Sequence, residues 1–122
     1  MAFLNDNVFD SGLVYATTNG TRLDGCSSEP ANYAGIAAVT LGNDTVVTSS
    51  AGAGSPDGRS VVVPAITAGS VTGTGTATHW ALSDGAGILV ATNTLSAPQA
   101  VTNGNTFTLD AINITLRDAT SV

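Results

Sequence analysis

The stretch Thr76-Ala77-Thr78-His79-Trp80-Ala81-Leu82-Ser83, then Asp84-Gly85-Ala86, then Gly87-Ile88-Leu89-Val90-Ala91-Thr92-Asn93-Thr94, decides the fold class. Successive side chains of a strand point to opposite faces. Here that rule puts Thr78, Trp80 and Leu82 on one face and Ala77, His79 and Ala81 on the other. Two such runs joined by a short Asp/Gly connection read as an antiparallel hairpin.

The same grammar extends outward in both directions. Downstream, residues 99–102 and 105–109 flank Asn103-Gly104, a second hairpin signal. Residues 111–117 form a closing strand with Ile112, Ile114 and Leu116 on one face. Upstream, residues 59–66 read as a strand whose Pro64 calls for an edge or a bulge, because proline cannot donate to a ladder. Residues 39–41 and 45–48 flank a turn at Gly42-Asn43-Asp44, and residues 13–17 and 21–26 flank Asn19-Gly20. Residues 49–58, rich in Gly, Ser and Ala, read as a loop. Helical signals are confined to residues 5–11, stopped by Gly12, and residues 30–38, capped by Ser28 with Pro30 in the first turn. The spacing therefore predicts an all-β chain, an antiparallel β-sandwich with one or two short helices in the N-terminal third. One domain spans residues 1–122, and its expected core is Trp80, Leu82, Ile88, Val90, Phe107, Ile112, Ile114 and Leu116.

Composition narrows the function classes. Hydrophobic residues are 43% of the 122, but aromatics are 5% and charged residues only 10%, against roughly 25% in an average domain. Lysine is absent; Arg22, Arg59 and Arg117 face nine acids, for a net charge of -6. Nucleic-acid binding and a polybasic membrane patch both need clustered cations, so neither is expected. Mean hydropathy of +0.26 argues against disorder. No apolar run approaches the roughly 20 residues of a membrane span, and the N-terminus has no basic, signal-like region. Synthesis in the cytoplasm and a soluble product are the expectation. Lone Cys26 gives no intrachain disulfide and reads as a small buried apolar residue.

Chemistry-bearing patterns are sparse. A Ser-His-Asp triad needs a buried base, an orienting carboxylate and an exposed nucleophile. The single histidine, His79, lies mid-strand and reads better as a surface or interface side chain. The Gly52-Ala53-Gly54-Ser55-Pro56-Asp57-Gly58 run lacks a Walker lysine, and no helix follows it to point a dipole at a phosphate. The carboxylates are scattered, and Asp44, Asp57 and Asp84 sit in turn sequences, where Asp binds local backbone donors. One Cys and one His exclude a conventional zinc set, and no calcium loop is present. The reading is not an enzyme, with no cofactor and no metal. Phe3, Leu4 and Phe9 are the candidate interface residues, within a possible docking arm at 1–12; the alternative is a strap over the domain's own core.

The C-terminal half carries a resemblance. Pro64-Ala65-Ile66, the 75–84 run, Gly87-Ile88-Leu89-Val90-Ala91, Leu95-Ser96, Val101-Thr102-Asn103-Gly104-Asn105-Thr106-Phe107 and Ile112-Asn113-Ile114-Thr115-Leu116 together resemble a family of small structural proteins of tailed bacteriophages. The N-terminal half matches more loosely, through Tyr15 and a strand-then-proline segment at 23–30. These motifs are turns and core positions. The resemblance implies a virion accessory protein made in the host cytoplasm. A capsid decoration or cement protein comes first, with a tail-fibre or tail-tip component as the alternative. The implied partners are the major capsid protein or tail proteins, and further copies in a homo-oligomer. From another class, a carbohydrate- or surface-binding β module is the competing reading. The few aromatics available for stacking on sugars speak against it.

Overall fold

A computed structural model describes residues 5–54 and 57–117. About half the chain is strand, joined by two helices. The strands are β1 (Arg22–Cys26), β2 (Thr40–Thr45), β3 (Gly52–Ala53), β4 (Arg59–Val63), β5 (Ile66–Val71), β6 (Gly75–Ser83), β7 (Leu89–Val101), β8 (Thr106–Leu109) and β9 (Ile112–Leu116). The helices are α1 (Asp6–Asn19) and α2 (Tyr33–Val39). Six strands form one antiparallel sheet in the order β7-β6-β1-β2-β5-β8, and β3-β4-β9 form a smaller one.

The deciding hairpin forms as read. β6 pairs with β7, and β1 lies on the other side of β6 in register from Arg22↔Ser83 to Cys26↔His79. At the β6–β7 turn, the Asp84 carboxylate accepts hydrogen bonds from the amides of Ala86, Gly87 and Ile88 at 2.8, 2.9 and 2.9 Å. Gly85 supplies the positive φ of 74° that the turn requires. Both faces of β6 are covered. Leu23, Trp80, Leu82 and Phe107 of the large sheet share one cluster with Val63 of the small sheet, and Ile112 and Ile114 pack against it. On the opposite face Ile36 of α2 covers Cys26 and Ala81.

The N-terminal region departs from the expectation. Residues 13–17 are not a strand and Asn19-Gly20 is not a hairpin turn, because α1 runs unbroken through Gly12 to Asn19. Asn5 caps it, accepting from the Asn7 amide at 2.8 Å, and Asp6 lies favourably in the first turn. Phe9, Leu13 and Ala16 recur at helical spacing and are all buried, with Leu13 and Ala16 seated on Val61 of β4. That packing offsets the roughly 1 kcal/mol that a mid-helix glycine costs. Gly20 ends the helix at φ -82°, whereas the tight hairpin turn favoured by Asn-Gly needs positive φ at both residues. α2 begins at Tyr33 with Asn32 as its cap, three residues later than expected and without Ser28.

Gly42-Asn43-Asp44 is not a turn either. β2 continues through it, and Gly42 lies in the sheet between Gly25 and Val71. A Cβ at Gly42 would stand 2.5 Å from the Ser70 carbonyl oxygen and 3.0 Å from the Phe107 ring. Here glycine is required by close approach, not by a bend. Pro64 neither edges nor bulges a strand: β4 ends at Val63 and β5 starts at Ile66, so Pro64-Ala65 carries the chain from the small sheet into the large one. Asn103-Gly104 does turn, with Gly104 at φ 89°. The strands it joins do not pair with each other, however: β7 pairs with β6, and β8 with β5. The turn links the two outer edges of the large sheet and shows that the sheet curls. Of the expected core, Trp80, Leu82 and Phe107 are buried and Val90, Ile112 and Ile114 half-buried. Ile88 and Leu116 are 36% and 39% exposed, Ile88 because it leaves the β6–β7 turn and Leu116 because it ends β9.

Candidate functional site

Phe3 and Leu4 lie outside the described residues. Phe9 is 4% exposed and belongs to the inner stripe of α1. The outward residues of the same helix are Val8, Val14 and Tyr15, at 55, 56 and 51% exposure. Helical geometry puts Val8 and Tyr15 on one flank, on either side of Gly12. The Leu116 side chain of β9 would lie 3.6 Å from a Cβ at Gly12, so it borders the same flank. α1 is thus apolar on its inner face and partly apolar on its outer one, and nothing in its composition would reveal the second feature without the helix being known.

The arginines are engaged with carboxylates. Each arginine forms a two-pronged pair with an aspartate: Arg22 with Asp24 (3.0 and 3.2 Å), Arg59 with Asp10 (2.9 and 3.2 Å) and Arg117 with Asp57 (2.7 and 3.3 Å). Asp24 is completely buried and also accepts from the Thr40 hydroxyl at 2.7 Å. A buried carboxylate requires such partners. The hydrogen bond from Arg22 to Asp24 holds the guanidinium proton more tightly and raises the Arg22 pKa, against the opposing effect of its own burial. These side chains, with Tyr33, Ile36 and Ser83, line a groove of about 330 Å³ beside α2. Cys26 nearby is buried, and burial, then the charge of Asp24, pushes its thiol up to about 12. Reading Cys26 as a packed apolar residue agrees with that placement.

His79 is part-buried on β6. Its Nδ1 lies 2.9 Å from the Thr78 hydroxyl, and its Nε2 lies 3.9 Å from Glu29. Thr78 donates to the Ser27 carbonyl at 2.8 Å, which leaves its oxygen to accept from Nδ1–H. In that arrangement the Thr78 hydroxyl fastens Ser27 to β6, and its proton is committed to the backbone. Among the described residues no three His, Cys, Asp or Glu side chains gather as metal ligands would.

A second concavity was not legible in the sequence. Between Ala77↔Gln99 and His79↔Thr94, residues 95–98 of β7 stand opposite Thr78 alone, a wide bulge in an edge strand. The bulge forms one wall of a cleft of about 420 Å³; residues 108–112, where β8 passes to β9, form the other, and Trp80 lies at the floor. The Gln99 amide donates across the cleft to the Thr108 carbonyl at 3.0 Å. Pro98 inside a strand-like run was the available signal, since proline in a strand marks an edge or a bulge. Comparison of the chain with protein-family models, with curated proteins and with solved structures finds no match.

Proposed function

We propose that the chain is a structural accessory protein of a bacteriophage virion, acting as an oligomer docked on a larger coat. Within that role, capsid decoration comes ahead of a tail-fibre or tail-tip position. The observation that carries the reading is the outer flank of α1. Val8 and Tyr15 are half-exposed apolar side chains on one flank of this helix, bordered by Leu116, and Val14 is a further exposed apolar residue of its outer surface. Interface cores are depleted in charge and enriched in aromatics, which suits this flank. The rest of the surface supports it: there is no lysine, and every arginine is held by an aspartate, so the net charge of -6 is uncompensated by any basic patch. An outer position on the particle fits that charge, because an inner one would face packaged phosphates. The β-sandwich is part of the same proposal, with both sheets contributing to one apolar cluster as the two layers.

Deleting residues 2–9 would remove Phe9 from the core and confound folding with docking. The cleaner test substitutes Val8→Asp and Tyr15→Asp together and measures occupancy on purified particles lacking the protein. Wild type should bind in hundreds of copies on the head, and the double variant should bind at least tenfold more weakly with an unchanged melting temperature. Binding confined to the tail, absence of binding to particles, or full occupancy by the double variant would each refute the decoration reading.

A further inference from the structure

We infer that the cleft between the bulged edge of β7 and the β8–β9 corner is a binding site for a neutral carbohydrate. Its construction suggests a site rather than a packing flaw. An edge strand needs no bulge to stay paired, and bulges recur where side chains are re-aimed towards a ligand. Here the bulge sets residues 95–98 away from β6, opening a cleft whose volume of about 420 Å³ falls within the roughly 300–1,000 Å³ of small-molecule sites. The cleft lies at the corner where the chain leaves the large sheet for the small one, so the edge of β7 and the β8–β9 corner form its walls.

The lining specifies the ligand's chemistry. Trp80, 8% exposed, lines the floor, with Leu95, Pro98 and Leu109 as further apolar wall. Asp110, Thr94, Ser96, Thr108 and Gln99 line it too, and they bring a carboxylate, three hydroxyls and a side-chain amide oxygen. None of these has a hydrogen bond to another described residue, while the Gln99 nitrogen is fixed on Thr108. An apolar floor ringed by acceptors and hydroxyls matches a molecule with one C–H face and several O–H donors at its rim. Anions are refused. The three arginines are committed to aspartates elsewhere, none lines the cleft, and Asp110 would repel a phosphate, sulfate or carboxylate. A sugar ring without charged substituents satisfies every condition. An extended peptide would instead need free ladder groups along both walls, and the Gln99 bridge closes one end to it.

Trp80 is the only tryptophan, so a change at the cleft floor is read in its emission without interference from a second indole. The test titrates the full chain with glucose, galactose, mannose, N-acetylglucosamine, lactose and chitobiose. Fluorescence is read alongside saturation-transfer NMR on the sugar. At least one should give a saturable change with half-saturation on the order of 1–10 mM, with transfer strongest to protons of one ring face. Asp110→Asn should raise that value about tenfold while leaving the melting temperature unchanged, and Gln99→Ala should raise it similarly with a small drop in melting temperature from the lost bond to Thr108. A flat response to all six sugars, a response indifferent to Asp110→Asn, or a response to glucose 6-phosphate and glucuronate equal to that for glucose would overturn the inference. Particle binding is measured separately, so sugar binding without docking refutes only the virion reading, and docking without sugar binding refutes only this one.

Discussion

Gly69→Ala should destabilise the protein in the native background and stabilise it once Phe107 is shortened. Gly69 pairs with Phe107 across β5 and β8, and a Cβ built there would penetrate the Phe107 ring. Gly69 does not have positive φ, so the backbone itself accepts alanine. Two effects then oppose each other. Replacing a strand glycine by alanine is worth roughly 0.5–1 kcal/mol in reduced unfolded-state freedom. Forcing a methyl against a ring that is 5% exposed and packed in the main cluster costs about 1–3 kcal/mol. Overpacking wins, so the single change should lose about 1–2 kcal/mol. Phe107→Ala alone should lose about 3–5 kcal/mol through cavity formation. In the Phe107→Ala background the new methyl enters vacated space, and Gly69→Ala should gain up to about 1 kcal/mol. The double-mutant cycle in urea, followed by far-ultraviolet circular dichroism, should therefore return a coupling of about 2–3 kcal/mol. Additivity within about 0.5 kcal/mol, the behaviour of independent sites, would mean the ring does not lie over Gly69.

Three further outcomes follow from the same geometry. The three backbone amides on Asp84 hold its carboxyl below the ordinary 3.8, so its contribution is present above that value and lost as pH falls through the lowered one. Asp84→Ala should therefore destabilise at pH 7, with the difference from wild type vanishing at the acid end of a thermal-melt series. Cys26, buried and with its thiol at about 12, should not react with a disulfide reagent at pH 8 until urea unfolds the chain; rapid labelling of the folded protein would contradict its burial. Arg22→Met should cost about 1–3 kcal/mol, less than a fully enclosed pair because Arg22 is 40% exposed, since it leaves buried Asp24 with Thr40 as its side-chain partner; an unchanged denaturation midpoint would show that Asp24 does not depend on Arg22 for its burial.

What the sequence made legible follows a physical division. The 75–94 hairpin was readable because a β-branched composition and an Asp-Gly turn agree, and β6 and β7 formed accordingly. The errors came where one signal was read without its surroundings. Asn19-Gly20 suits a hairpin turn and a helix terminus equally, and the helical stripe of Phe9, Leu13 and Ala16 decides between them only once Val61 is there to receive it. Gly42 suits a turn or a close approach, and the pressure of Ser70 and Phe107 behind it comes from β5 and β8, distant in sequence. β5 itself was missed because its buried positions, Ile66, Gly69 and Val71, include a glycine and do not alternate. Of the sites, the paired aspartates and the cleft depend on juxtapositions such as Asp10 with Arg59, 49 residues apart, which a linear pattern does not encode.

The central place of β1 has a consequence for how the chain is made. β1 is flanked on one side by β2, which follows closely, and on the other by β6, about sixty residues further on. A ribosome adding roughly 5–20 residues per second exposes β1 for on the order of 3–12 s before its β6 edge can be matched. During that interval α1 and the β1–β2 ladder are available, but the cluster built on Trp80, Leu82 and Phe107 is not. The nascent chain therefore carries an open edge through nearly half of its synthesis and closes only when β6 has been made. Truncation after β5 should leave an aggregation-prone fragment rather than a small folded one.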